Sequence, residues 1–134
     1  MKANELMIGA LVRVSEDVCF KKGTIVKIHG IDADNVWAEK GLKGSATCMP
    51  VKDPERFTCG VWCNYLEPIP LTPEILEKNR FIQENESWWY KDFRIVLDNS
   101  KGESLICGRQ VKFTYVHQLQ HALRLCGIEK EIEL

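Results

Sequence analysis

The chain reads as an α+β protein in two parts: a small, barrel-like antiparallel β part over residues 1–70 and an α-β-β-β-α-β part over 71–134. Three observations predict this. Short runs of β-formers separated by glycine and polar turns fill the first half. A stretch with two prolines, Glu67-Pro68-Ile69-Pro70-Leu71, breaks the strand pattern near the middle, because proline removes a ladder donor. An amphipathic segment bracketed by helix start and stop signals occupies 115–126. The 134 residues suffice for one domain or two very small ones.

In chain order, residues 4–8 form a helical turn, with Asn4 as cap and Gly9 as stop. Leu11 to Val14 is a strand, ended by the polar break Ser15-Glu16-Asp17. Thr24 to His29 is a clear strand between Gly23 and Gly30. A second short strand, Asn35 to Glu39, follows a turn at Asp32-Ala33-Asp34. Residues 40–56, rich in Gly, Ser, Lys and Pro, read as a long surface loop, and Thr58 to Leu66 as a strand.

Beyond the boundary, Thr72-Pro73-Glu74 supplies a cap, a proline at the first helical position and an acid in the first turn, for a helix over 73–79. Trp88 to Leu97 reads as one strong strand. Two more follow at Ser104 to Cys107 and Gln110 to Phe113. Thr114 caps the helix Tyr115 to Cys126, and Gly127 ends it with Ile128 closing back on Leu123. At about 100° per residue, Tyr115, Val116, Leu119, Ala122, Leu123 and Cys126 share an arc of roughly 120°. His117, Gln118, Gln120, His121 and Arg124 fall on the other side, with Leu125 as the one apolar exception. Residues 128–134 alternate Ile128, Lys130, Ile132, Leu134 with Glu129, Glu131, Glu133, the pattern of a final half-buried strand with an acidic outer face.

Charge excludes some function classes. Eighteen Lys and Arg stand against nineteen Asp and Glu, a net charge of −1. The first seventy residues hold nine of each sign, so neither half has the basic excess that non-specific nucleic-acid binding needs. No apolar run is long enough to cross a bilayer, and the first residues lack a signal-peptide core, which points to the cytoplasm with all six cysteines reduced.

The chemical motifs are few. His117 and His121 have the i, i+4 spacing that grips a metal, but Gln118 stands where a zincin has glutamate, and no third ligand is placed. Cys59 and Cys63 have three residues between them and read as core thiols beside Val61; no second pair exists for a zinc ribbon. Gly41-Leu42-Lys43-Gly44 matches a GxxG clamp in the wrong context, and Asp32-Ala33-Asp34 begins like an EF-hand loop but meets Val36 at the third ligand position. No pattern requires a cofactor. Trp88-Trp89-Tyr90 carries more information: on one strand, neighbouring side chains face opposite ways, so one large aromatic lies off the packed face. Trp62 and Tyr65 raise the same question.

Three stretches, residues 1–9 (Met1-Lys2-Ala3-Asn4-Glu5-Leu6-Met7-Ile8-Gly9), Leu66-Glu67-Pro68-Ile69-Pro70-Leu71-Thr72 and Tyr115-Val116-His117-Gln118-Leu119-Gln120, resemble a family of small proteins of Bacteroides and related gut bacteria, often found among prophage and mobile-element genes. The family opening commonly reads Asn-Glu-Leu-Arg-Ile-Gly-Asn; Met7 and Ala10 stand here in place of its Arg and second Asn. The resemblance implies an intracellular bacterial protein with a joint two-part architecture, and the family brings no assigned activity. Separately, Ile8-Gly9-Ala10-Leu11-Val12-Arg13-Val14 followed by Gly23-Thr24-Ile25-Val26-Lys27-Ile28 is similar to the start of SH3-like barrels of the KOW type, which often bind RNA or protein.

These readings converge on a non-enzymatic interaction module with a protein partner, soluble, and with homo-oligomers allowed. The expected contact surface is His117, Gln118, Gln120 and His121 together with Trp88 and Trp89. Alanine at each of the four helix positions should then change stability by no more than about 0.5 kcal/mol. One rival is nucleic-acid binding through the first part, using Lys21, Lys22, Lys27, Lys40 and Lys43. Another is an enzyme using Cys63 or Cys107 with a histidine.

Overall fold

Strands dominate a mixed α+β architecture. The structure, a computed structural model, describes residues 1–53, 57–85, 87–91, 93–96, 104–106, 109–111 and 113–134. These divide into two units, Met1–Ile69 and Pro70–Leu134.

The first unit is an open five-stranded antiparallel sheet formed by β1 (Leu11–Val14), β2 (Ile25–Trp37), β3 (Leu42–Pro50), β4 (Cys59–Trp62) and β5 (Leu66–Pro68), in spatial order β4-β3-β2-β1-β5. Its ends, β4 and β5, belong to different sides of the sheet and do not close it into a barrel. Pro68 is tolerated because β5 is an edge strand, pairing only with β1, where Arg13 Nη1 meets Glu67 Oε1 at 3.4 Å. Val12, Val14, Val26, Ile28, Val61 and Leu66 form the heart of the core.

Two sequence expectations are corrected here. Asp32-Ala33-Asp34 is not a turn between two strands: β2 runs unbroken past Gly30 to Trp37 and absorbs the extra residues as an irregularity between Asp32 and Val36. The Asp32 carboxylate stabilises it by accepting the N–H groups of Asp34 and Asn35, each at 3.1 Å. The expected loop over 40–56 contains a nine-residue strand, β3. Its alternation is strict, with Leu42, Gly44, Ala46, Cys48 and Pro50 all turned inward. The inward residues are mostly small because the 3-10 turn Ala3–Glu5 lies directly against the strand: a Cβ on Gly44 would come within 2.8 Å of Ala3 Cβ. Small side chains carry little β-propensity, which hid the strand.

Cys19 and Cys59 form a disulfide, correcting the expectation of six reduced thiols. The bond ties the β1–β2 connection to β4 at the sheet's end, and beside it Phe20 stacks on Phe57 with ring centroids 5.4 Å apart. Because disulfides persist mainly in oxidising compartments, the thiols no longer argue for the cytoplasm. No helix among the described residues is long and apolar enough to cross a membrane.

The second unit opens with α1 (Pro73–Lys78), capped by Thr72 Oγ1 accepting the Ile75 N–H. A three-stranded meander follows: β6 (Ile82–Glu84), β7 (Ser87–Tyr90) and β8 (Phe93–Val96). The single strand expected over 88–97 is therefore a hairpin, with Tyr90 opposite Phe93 and Lys91 in the left-handed region at φ 52°. The pair β9 (Ser104–Ile106) and β10 (Arg109–Val111) precedes α2 (Val116–Leu125). The cap of α2 is Tyr115 rather than Thr114, and its end is the expected one: Gly127 at φ 70° and the Ile128 N–H donating to Leu123 O at 2.8 Å.

The final strand is absent as a strand, although its alternation holds: Ile132 is buried and Glu129, Glu131 and Glu133 are exposed. A side chain stands in for the missing neighbour. Asn79, just past α1 and buried, accepts the Glu133 N–H at 2.8 Å and donates to Glu133 O at 2.8 Å and to Ile75 O at 2.7 Å.

Candidate functional site

Most of the surface expected on α2 and β7 is occupied by packing. His117 and Gln120 are buried, 5% and 9% exposed, and the His117 ring stacks on Tyr115 with centroids 5.8 Å apart and planes at 13°. The sequence pattern placed both with the solvated side chains. The buried side of the helix instead extends past the apolar stripe to Gln120 and, in the first turn, to His117. Gln118 serves the helix itself: its Oε1 accepts the N–H groups of Thr114 at 2.9 Å and Tyr115 at 3.2 Å. Of the four helix positions only His121 is exposed. Leu125, the exception in the pattern, is 83% exposed.

Trp88 is buried at 4% exposure, and Trp89 is half-buried. The Arg94 guanidinium lies 5.6 Å from the Trp89 ring, with its Nε donating to Ser87 Oγ at 2.8 Å. Glu84 and Asn85 join these three residues around an open basin of about 630 Å³. The six expected residues thus do not share one exposed surface.

Cys48 and Cys63 are poor nucleophiles. Burial, reinforced by the neighbouring Cys63, pushes the Cys48 thiol from 9.0 up to about 12. Burial also raises Cys63, against the opposing pull of the N-terminal ammonium, which donates to Cys63 O at 3.0 Å and Leu66 O at 2.9 Å. Thiolate chemistry at neutral pH needs the opposite shift. Cys107 lies outside the described residues. Among the described residues, no three His, Cys, Asp or Glu side chains gather around a possible metal position.

A different group is presented to water in the first unit. At the far end of β2, Val36 is 55% and Trp37 42% exposed. Trp37 meets the half-buried Trp62 of β4 at 6.3 Å between centroids with the rings tilted by 45°. Lys40 Nζ lies 4.3 Å from the Trp37 ring centroid. Strand pairing builds this cluster. Trp62 lies opposite Ser45, Ser45 opposite Asp32, Lys43 opposite Val36, and Asn35 Nδ2 donates to Ser45 Oγ at 3.0 Å. Irregularities of this kind re-aim side chains at sheet edges and functional surfaces, and here one lies at 32–36, directly before the exposed Val36 and Trp37. Trp62 stands out in the sequence as a surplus aromatic, whereas Trp37, a lone tryptophan beside a stretch that reads as a loop, gives no hint of a partner 25 residues on.

Lys40 and Lys43 lie beside this cluster, whereas Lys21 and Lys22 precede the other end of β2. A straight strand of 13 residues is roughly 40 Å long, so these lysines form no single stripe along it. Comparison of the chain with protein-family models, with curated proteins and with solved structures finds no match.

Proposed function

We propose that the chain is a non-enzymatic interaction module that binds another protein through Val36, Trp37 and Trp62. The carrying observation is the exposure of Val36 and Trp37 beside Trp62 on a strand irregularity pinned by Asp32. Aromatic side chains are enriched at protein contact surfaces, where they bury large areas at little entropic cost. The resemblance to small Bacteroides proteins of prophage and mobile elements, and of the first unit to SH3-like barrels, belongs to the same proposal. It supplies a setting in which small adaptor proteins act.

The test is affinity capture from a bacterial lysate with the wild-type chain, Trp37→Ala and His121→Ala. The reading expects a bound protein that wild type and His121→Ala retain and Trp37→Ala loses. Retention by all three removes Trp37 from the binding surface and overturns it.

One observation favours a second reading: Lys40 and Lys43 beside two indoles are also the parts of a platform for single-stranded nucleic acid. That reading expects quenching of tryptophan fluorescence by an oligothymidylate at low salt, reversed steeply as salt rises. Unchanged fluorescence at micromolar protein removes it. The compartment is a separate question. Trapping the thiols by alkylation as cells are lysed shows whether Cys19 and Cys59 are bonded in place: a cytoplasmic protein gives free thiols, an exported one the disulfide.

A further inference from the structure

We infer that the partner held by Val36, Trp37 and Trp62 is a second copy of this chain; the inference rests on the protein-binding reading above and names its occupant. A two-fold contact sets a surface against itself, so a rim that carries both signs of charge can pair with its own copy. This rim carries both. Asp34 and Glu39 are exposed on one stretch with Lys40, and Lys43 is exposed on the strand opposite. Surfaces built for a polyanion or for a strongly basic peptide carry one sign in excess, whereas here exposed acids and bases stand together beside the apolar side chains. Net charge agrees, since at −1 two copies approach without appreciable long-range repulsion.

The geometry also fits. Trp62 belongs to β4, the last strand of the sheet, so a second molecule reaches the indoles from the open side without displacing a strand. Trp37 is in ring contact with Trp62 and lies under the Lys40 ammonium, contacts that restrain the ring before association and lower its ordering cost. Three apolar side chains make a small centre, so the dimer dissociates at a concentration on the order of 10⁻⁴ M rather than nanomolar.

Sedimentation equilibrium between about 10 µM and 1 mM tests this, on the wild-type chain, Val36→Asp and Trp37→Ala, with circular dichroism to confirm folding. The wild-type mass is expected to rise with concentration from 15.4 kDa toward twice that value. Both variants change exposed side chains and should stay monomeric, with association weakened at least about tenfold. A wild-type chain that remains monomeric throughout overturns the inference, as does self-association undiminished in whichever variants fold. A monomeric wild type that still captures another protein through Trp37 overturns the second copy alone and leaves the protein-binding reading standing. A dimer that captures nothing else supports the inference.

Discussion

Asn79 spends every hydrogen-bonding group of its amide on the polypeptide backbone, two on Glu133 and one on Ile75, in a position closed to water. Leaving those backbone groups without partners costs more than the bonds themselves return, so Asn79→Ala should lower stability by about 2–3 kcal/mol in urea unfolding and release the segment around Ile132. Asn79→Asp keeps the acceptor but sets a buried carboxylate oxygen against the Ile75 and Glu133 carbonyls, and should cost at least as much. The helix positions of α2 separate in the same way. His121→Ala should stay within about 0.5 kcal/mol of wild type, whereas His117→Ala removes a buried ring and should cost about 2 kcal/mol or more. Gln118→Ala removes the acceptor for two N–H groups ahead of the helix and should cost about 1 kcal/mol. Urea denaturation of the three variants side by side checks all of these. The sequence told Leu125 from its apolar neighbours correctly because one side of a helix is a local property. It misjudged His117 and Gln120 because how many sides are covered depends on elements distant in the chain.

At the scale of elements, the Cys19–Cys59 bond closes a 40-residue separation around β2 and β3. In the chain-entropy account a loop of that length is worth about 4 kcal/mol, so a dithiol reductant should lower the melting temperature markedly, and Cys19→Ser should reproduce the loss without reductant. β3 is the element whose sequence conceals it best. Its inward residues include glycine and alanine because Ala3 closes on Gly44, which sits at φ 76°. Gly44→Ala therefore combines a clash with a left-handed backbone and should destabilise by about 2 kcal/mol or more, while Gly41→Ala, with open space around it, pays only for its φ of 65°. Thermal melts of both variants distinguish the two cases. α1 was legible in advance since Thr72, Pro73 and Glu74 act on their own turn. The hairpin of β7 and β8 was not, because Trp88, Trp89 and Tyr90 are strong β-formers and its turn begins on Lys91, a residue that does not advertise a left-handed backbone.

Across the whole molecule, the buried thiols couple folding to alkaline pH. Cys48 keeps its proton up to about pH 12 when folded and gives it up near 9.0 when unfolded. Above pH 9 the unfolded chain therefore binds fewer protons, and stability falls as pH rises. The contribution is intact below pH 9 and is lost at about 1.4 kcal/mol per pH unit until the folded thiol itself ionises. Cys48→Ala should remove that part of the slope, so its stability relative to wild type should improve between pH 9 and 12 in parallel denaturant titrations. Burial of Cys63 acts in the same direction.

What the residues determined alone were the features that act within a few positions: the α+β content, the capped start of α1, the glycine-closed end of α2 and the period-two burial of the last seven residues. Capping, turn chemistry and alternation are satisfied by neighbours in sequence, so they can be read without a partner. Only the tertiary structure decided that β3 is a strand, that Cys59 bonds to Cys19, that Asn79 replaces a strand neighbour and that Trp37 meets Trp62. Each of these joins groups from 25 to 54 residues apart or depends on what lies across a sheet, and the free energy that selects them arises only when distant surfaces exclude water together.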